Sequence, residues 1–156
     1  MSLDRFLRAQ EKSYAGALAE LHAGAKRGHW IWWILPQMRG LGTSEYALFY
    51  GISDKAEATA YLVHPVLGAR YRECVALIHG HLCRARVAPL TLMGSKIDVL
   101  KLRSCLELFR RLAPASDSKL RALRPSFWRV RTSQSPRVRQ SNRLERPYLA
   151  VGRYRV

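Results

Sequence analysis

The sequence lacks long apolar runs, paired cysteines and a leader segment. Its longest uninterrupted apolar run, residues 30–35, is far shorter than the ~20 residues that a membrane-spanning helix needs. The N-terminal residues contain no apolar stretch followed by small residues, so we expect no secretory signal. Cys74, Cys83 and Cys105 are odd in number and form no Cys-x-x-Cys pair. A disulfide framework or a zinc site is therefore not expected, and we predict a cytoplasmic protein that binds no metal.

Motifs of known chemistry are also missing. The sequence contains no Gly-x-Gly-x-x-Gly, no Walker-type loop, no His-Glu-x-x-His and no Gly-x-Ser-x-Gly. The five histidines are scattered, which is typical of surface or capping residues rather than metal ligands. We therefore expect no cofactor and assign no catalytic residues, and the question of whether the protein is an enzyme stays open.

Positive charge is abundant and unevenly distributed. The chain of 156 residues has a net charge of +16, from 27 Lys and Arg against 11 Asp and Glu. Residues 119–156 contain 11 of the basic residues and a single acidic one, Glu145. A tail that binds nucleic acid non-specifically is one interpretation of this region, and a solvated irregular tail is another.

Helical periodicity is the main structural signal in residues 1–118. Apolar residues recur at three- and four-residue steps in residues 3–21, and Ser95 begins a second long helix that runs to Leu112. Ser44 is expected to cap a helix over residues 45–50, and Pro65 to open one that reaches His79. We predict an all-α fold, a compact single domain of about five to seven helices, in which residues 3–21 pack against residues 95–112.

Three features do not fit a purely structural interpretation. Residues 30–35 include three Trp in four positions, which indicates either a buried part of the core or the wall of a ligand pocket. The segment is too short for its pattern to distinguish a helical turn from a strand. Gln10 projects into the apolar stripe of the first helix, and Lys101 lies near the centre of the apolar sector of the last one. A lysine in such a position must extend to solvent, find a partner or be desolvated at a cost of several kcal/mol.

Several blocks of the sequence resemble one bacterial protein family. They are HWIWWILPQ at residues 29–37, GLGTS at 40–44, YLVHPVLG at 61–68, and Gly94, Ser95, Asp98 and residues 100–105. This pattern is similar to the family known as domain of unknown function 1810, over about residues 3–115. The resemblance implies a compact, mainly α-helical cytosolic protein without an established activity, substrate or cofactor. Members often carry the label calpastatin, but this sequence contains no calpain-inhibitor repeat.

The resemblance ends near residue 117, where the family continues with a helix and an Asp-Arg-Phe-Phe-Gly-Gly-like ending. Residues 124–129 read RPSFWR here, and suitable codons displaced by one base would encode Asp-Arg-Leu-Phe-Gly-Gly. A frameshift near residue 118 is therefore a third interpretation of the basic region. We divide the chain into an α-helical family domain, residues 1–118, and a basic, irregular tail, residues 119–156.

Two hypotheses about function follow from the residues. In the first, a pocket between the helices binds a small anionic ligand at Lys101 with help from Arg103, with or without catalysis. In the second, the domain presents helix faces to a protein or nucleic acid, with no role for a membrane. The candidate ligand-binding residues are Gln10, His29, Trp30, Trp32, Gln37, Ser44, Lys101, Arg103 and Ser104.

Overall fold

The structure, a computed structural model, describes residues 3–122, and these form an all-α fold. The helices are α1 (Asp4–His22), α2 (Ile31–Ile34), α3 (Glu45–Tyr50), α4 (Lys55–Val63), α5 (Leu67–His79), α6 (Pro89–Met93), α7 (Lys96–Leu112) and α8 (Ser118–Ala122). A π-helical turn, Gly80–Arg84, continues α5. Extended pairing in this part of the chain is limited to a single bridge between Met38 and Ile52. The predicted fold class is confirmed, and seven of the described α-helices have five residues or more.

Polar side chains start three of the helices, and two of them, Ser44 and Ser95, stand at predicted positions. Ser44, Asp54 and Ser95 accept hydrogen bonds from the backbone N–H groups three residues later, which gives orphan donors of the first turn a partner. The predicted start of α5 at Pro65 is wrong, because α5 begins at Leu67. His64 Nδ1 accepts the N–H groups of Val66 and Leu67, so an imidazole, rather than the proline, organises this helix start.

The two long helices do not pack mainly on each other, and that prediction is wrong. α1 contacts chiefly α2 and α5, whereas α7 contacts chiefly α4 and α6. The reason is Tyr61 of α4, which is fully buried between them. Its ring centroid lies 5.1 Å from that of Phe6 in α1 and 5.5 Å from that of Phe109 in α7. The apolar faces of α1 and α7 therefore both pack against α4, which lies between them.

The Trp-rich segment is a buried helical turn, which resolves the choice between turn and strand. Trp30, Ile31 and Ile34 are buried, and Trp32 and Trp33 are half-buried. Two of the indole N–H groups have acceptors inside the protein. Trp30 Nε1 donates to Glu20 Oε2 at 2.7 Å, and Trp33 Nε1 donates to Ser13 Oγ at 2.8 Å. The segment thus serves as part of the core.

The last described helix crosses the predicted domain boundary at residue 118. Asp117 Oδ1 accepts the backbone N–H of Leu120, and the same carboxylate pairs with Arg72 of α5 at 2.8 Å. The side chain of Leu120 is buried. The irregular tail predicted for residues 119–156 otherwise lies outside the described residues. No helix among residues 3–122 is long and apolar enough to cross a membrane.

Candidate functional site

Lys101 lies on the face of Trp32, next to a carboxylate. Its Nζ is 3.5 Å from the Trp32 ring centroid and 3.1 Å from Asp98 Oδ1, and 18% of the side chain is exposed. The other oxygen of Asp98 accepts a hydrogen bond from Lys26 Nζ at 2.6 Å. The inward position predicted for Lys101 is thus correct, and its partner is a carboxylate of the protein itself.

Lys26 is the more buried of the two lysines, with 5% of its side chain exposed. Its ammonium also donates to the Gly28 carbonyl oxygen at 2.7 Å and lies 5.2 Å from the Trp30 ring centroid. Glu20 accepts hydrogen bonds from the backbone N–H groups of Arg27 and Gly28 as well as from the Trp30 indole. These bonds fasten the loop between α1 and α2 to both long helices.

The carboxylates of Asp98 and Glu20 both have a lowered pKa. Burial alone would raise the pKa of Asp98, but hydrogen bonds from Lys26 and Lys101 outweigh burial and hold the pKa below its usual value. Burial opposes ionisation of Glu20 in the same way, and the N–H groups of Arg27, Gly28 and Trp30 lower its pKa. Both groups are therefore ionised at neutral pH and are engaged by donors inside the protein.

Gln10 lies apart from the Lys101 site and is saturated with hydrogen bonds. It is fully buried, and its Nε2 donates to the Trp33 carbonyl oxygen at 2.8 Å and to Tyr61 Oη at 2.9 Å. Its Oε1 accepts a bond from Arg70 Nη1 at 3.4 Å. The structure thus gives this buried amide a role in joining α1, α2, α4 and α5.

The remaining candidates are dispersed. Gln37 is buried, and its Nε2 donates to the Leu35 carbonyl oxygen at 2.6 Å. Ser44 caps α3, His29 and Arg103 are exposed, and Ser104 is half-buried on α7. Of the predicted set, only Trp30, Trp32 and Lys101 come together, around the ion pairs of Asp98 with Lys26 and Lys101. The nine candidate residues do not line a single pocket.

A small cleft lies on the other side of Trp32. Its lining includes Trp32, Gln37, Met38, Leu41, Ala47 and Tyr50, and it has room for about one water molecule. Neither Lys101 nor His29 borders it. Within residues 3–122 there is also no group of three or more His, Cys, Asp or Glu side chains that could hold a metal ion.

The most exposed aromatic residues lie on α3, beside this cleft. Tyr46, Leu48 and Phe49 are 54%, 50% and 58% exposed. The Tyr46 ring stacks at 6.4 Å from that of Trp32, and Phe49 meets Tyr50 edge-on at 4.9 Å. We call Trp32, Tyr46, Leu48 and Phe49 the aromatic face.

Sequence reasoning located α3 but missed this face. The signal was present, because the six residues EYALFY carry apolar side chains on every side of the helix, and a short surface helix buries only one side. In the structure Ala47 is the buried position, so the larger side chains point outward or lie along the surface.

One cation contacts the aromatic face. Lys101 Nζ lies 3.5 Å from the Trp32 ring centroid, and the exposed Glu45 begins α3 next to Tyr46. Residues 3–122 together contain 18 Lys and Arg against 10 Asp and Glu, a net charge of +8. This positive total, rather than the immediate neighbours of the face, favours an anionic partner.

The buried cysteines show no sign of activation. Burial raises the pKa of the Cys74 thiol to about 12, and it raises that of Cys105 well above its usual value. A thiol that stays protonated at neutral pH is a poor nucleophile. Both side chains act as small hydrophobic residues of the core.

Comparison with known proteins agrees with the family resemblance. A family model described as protein of unknown function (DUF1810) matches residues 1–135. The chain is also 41% identical to the conserved hypothetical protein Rv1873 from Mycobacterium tuberculosis, whose crystal structure gives a TM-score of 0.72. That similarity covers 81% of this chain and 86% of the mycobacterial one. No curated protein matches.

Proposed function

The chain belongs to the DUF1810 family, which has no established function. From the geometry we propose that the domain is a non-enzymatic module that binds an acidic polypeptide segment on its aromatic face. The exposure of Tyr46, Leu48 and Phe49 on one short helix carries this proposal. Exposed apolar side chains that are contiguous, rather than scattered, are typical of interaction surfaces.

The composition of the face supports a protein partner. Tyr, Trp and Phe are enriched at the centres of protein interfaces, where they bury a large area with few rotatable bonds. Tyr46 stacks on Trp32 and also lies 6.2 Å from Tyr50, so its ring is already held in place in the free protein. A preorganised ring loses less conformational entropy when a partner covers it.

The charges around the face support an acidic partner. Lys101 contacts Trp32, and the described residues carry a net charge of +8. A segment that combines Asp or Glu with aromatic or aliphatic side chains would complement both the cations and the rings. The cleft beside Trp32 is too small to enclose a substrate, so the role that we propose for this face is binding.

Selection from a displayed library of random 12-residue peptides tests this proposal. We expect the wild-type protein to enrich peptides that are acidic and carry aromatic or aliphatic residues. The affinity of an enriched peptide is then measured by titration calorimetry. The double variant Tyr46→Ala, Phe49→Ala should bind it about tenfold more weakly, or worse, because it loses both central rings.

A matched control removes exposed apolar side chains elsewhere. Val63 and Leu90 are 70% and 49% exposed, so the double variant Val63→Ala, Leu90→Ala should bind the same peptide within about twofold of wild type. Equal binding by wild type and by the Tyr46, Phe49 double variant would overturn the proposal. Enrichment of basic peptides would overturn the part that concerns charge.

A small anionic ligand at Lys101 is the second candidate function. Two ammonium groups, those of Lys26 and Lys101, share the single carboxylate of Asp98, and Lys101 is partly exposed beside Trp32. A phosphate or carboxylate could pair with Lys101, whereas Arg103, two positions on, lies on a different side of α7 and would not contact the same ligand. Titration with inorganic phosphate should then shift the NMR signal of the Trp32 indole in the wild type and leave it unchanged in Lys101→Met. No shift in the wild type would rule this site out.

We place the module in the bacterial cytoplasm. The three cysteines of residues 3–122 are free, which supports a reducing compartment, and the mycobacterial relative supports a bacterial source.

A further inference from the structure

Two stretches of the chain contain no acidic residue. Residues 21–44 have neither Asp nor Glu, and the same is true of residues 74–97. The first stretch follows α1 and includes His22, Lys26 and Arg27. The second includes Arg84, Arg86 and Lys96.

The fold brings these two stretches together. His81 Nε2 donates to the Leu21 carbonyl oxygen at 2.7 Å, at the C-terminal end of α1. The backbone N–H of Lys26 donates to the Leu92 carbonyl oxygen at 2.8 Å. A Cβ atom on Gly24 would lie only 3.0 Å from the His81 ring, so the two segments are in close contact at this point. The junction is basic on both sides, and we call it the basic edge: His22, Arg27, Arg84, Arg86 and Lys96.

The four Arg and Lys side chains of the basic edge, and His22 beside them, are exposed and have no carboxylate partner within residues 3–122. The nearest acidic groups, Glu20 and Asp98, accept hydrogen bonds from donors of the protein and hold a lowered pKa. The side chains of the edge are therefore available for an external anion.

The turn that carries two of these cations is held in an unfavourable conformation. Arg86 has a φ of +54°, a left-handed conformation that is unfavourable for a residue with a Cβ. The turn is closed by hydrogen bonds from Ala85 N to the Gly80 carbonyl and from Val87 N to the His81 carbonyl. Such strain in an exposed turn is a feature that often accompanies a functional site.

From these observations we propose that the basic edge binds the phosphodiester backbone of a nucleic acid. Arginine guanidinium groups match phosphate oxygens in geometry as well as in charge. The small Ala85 lies between the two arginines, and the exposed Leu90 and Ile97 are nearer in sequence to Lys96, so the vesicle measurement below separates a nucleic acid from a lipid surface. This site is distinct from the aromatic face and from the C-terminal residues, for which nucleic-acid binding is one of three interpretations.

Fluorescence anisotropy of the full-length protein with a labelled 20-base-pair DNA duplex tests this proposal. The double variant Arg84→Glu, Arg86→Glu should weaken binding about tenfold and lower the slope of log affinity against log salt by about 2. The matched control is Arg8→Glu, Lys12→Glu, which changes the net charge equally on an exposed part of α1. Arg8 lies 14 residues, or about 21 Å, before His22 along the helix. The control should bind several-fold more tightly than the Arg84, Arg86 variant.

Equal binding by the two double variants would overturn the proposal and assign any affinity to overall charge or to the C-terminal residues. Binding to phosphatidylserine vesicles without binding to DNA would overturn it as well. If Arg84→Glu, Arg86→Glu does not fold by circular dichroism, Arg84→Gln with Arg86→Gly replaces it. Glycine accepts the left-handed conformation, so this variant keeps the turn. It should still lose affinity several-fold, though less than the double Glu variant, because it changes the net charge by 2 instead of 4.

Discussion

Buried polar side chains in this protein are of two kinds. Gln10 is fully enclosed, and protein atoms occupy both ends of its amide. Lys101 is enclosed on the Trp32 side and on the Asp98 side but keeps a partly open edge. The first arrangement stabilises the fold, whereas the second leaves room for a ligand or a partner.

Replacement of Gln10 by Met should therefore destabilise the protein without affecting peptide binding. The change removes the donor to Tyr61 Oη and one of the two donors to the Trp33 carbonyl, which keeps the Tyr61 hydroxyl at 3.1 Å. The loss of these buried bonds should lower the free energy of unfolding by about 2 kcal/mol. Urea unfolding monitored by tryptophan fluorescence measures this change. Glu11→Met, at the exposed neighbouring position, should shift the free energy by about 0.5 kcal/mol or less. An equal effect of both substitutions would contradict the structural role of Gln10.

The free energy of unfolding should depend on pH through Asp98. Its pKa is lowered in the folded state, so its contribution to stability is present above the unfolded pKa of about 4 and is lost as the pH falls through the folded value. Asp98→Asn should lower the free energy of unfolding by about 2 kcal/mol at neutral pH, because two ammonium groups lose their carboxylate.

The difference between wild type and Asp98→Asn should stay constant from pH 7 to about pH 5 and shrink below about pH 4. Unfolding curves recorded across this range measure it. A difference that grows as the solution becomes more acidic would contradict the sign of the pKa shift.

For individual residues, the sequence predicted which side chains point inward better than it predicted their hydrogen-bond partners. The helical pattern placed Gln10 and Lys101 inward, and both are inward. Gln10 bonds to Tyr61, 51 positions away. Lys101 pairs with Asp98 on its own helix, and the second partner of Asp98, Lys26, is 72 positions away. A periodic pattern contains no information about such distant contacts, so the Lys26–Asp98 pair could not be foreseen.

At the scale of elements, local signals were sufficient for the helix starts. Ser44 and Ser95 cap their helices as predicted, because a hydroxyl that accepts an N–H three residues on is a local interaction. The packing of α1 against α7 was predicted wrongly, because it depends on which helix lies between them. That helix is α4, whose Tyr61 separates Phe6 from Phe109.

The cap of α3 should control the order of the aromatic face. Ser44→Ala removes the acceptor of the Ala47 N–H and should weaken α3 by about 1 kcal/mol. Because α3 has only six residues, we expect faster hydrogen exchange at residues 47–50 and weaker binding of the selected peptide. Ser44→Asp, which supplies another good cap, should restore both. Unchanged exchange in Ser44→Ala would show that packing alone holds the helix.

At the scale of the whole molecule, the fold class could be predicted and the site could not. Helical periodicity and the absence of hairpin signals led correctly to an all-α domain. The nine candidate residues are polar or aromatic positions that a linear pattern cannot group in space, and the structure disperses most of them. Surface exposure, which reveals the aromatic face, depends on how the helices pack. The boundary after residue 118 and the frameshift stay predictions, which the DNA sequence of the gene decides.

The most direct test of the account is a map of backbone and indole NMR shifts when the full-length protein is titrated with a peptide from the selection. We predict the largest shifts at residues 45–50 and at the Trp32 indole, because the aromatic face is the proposed contact. Residues of the basic edge should change little. Shifts confined to residues 79–96, or shifts of equal size in Tyr46→Ala, Phe49→Ala, would contradict binding at the aromatic face.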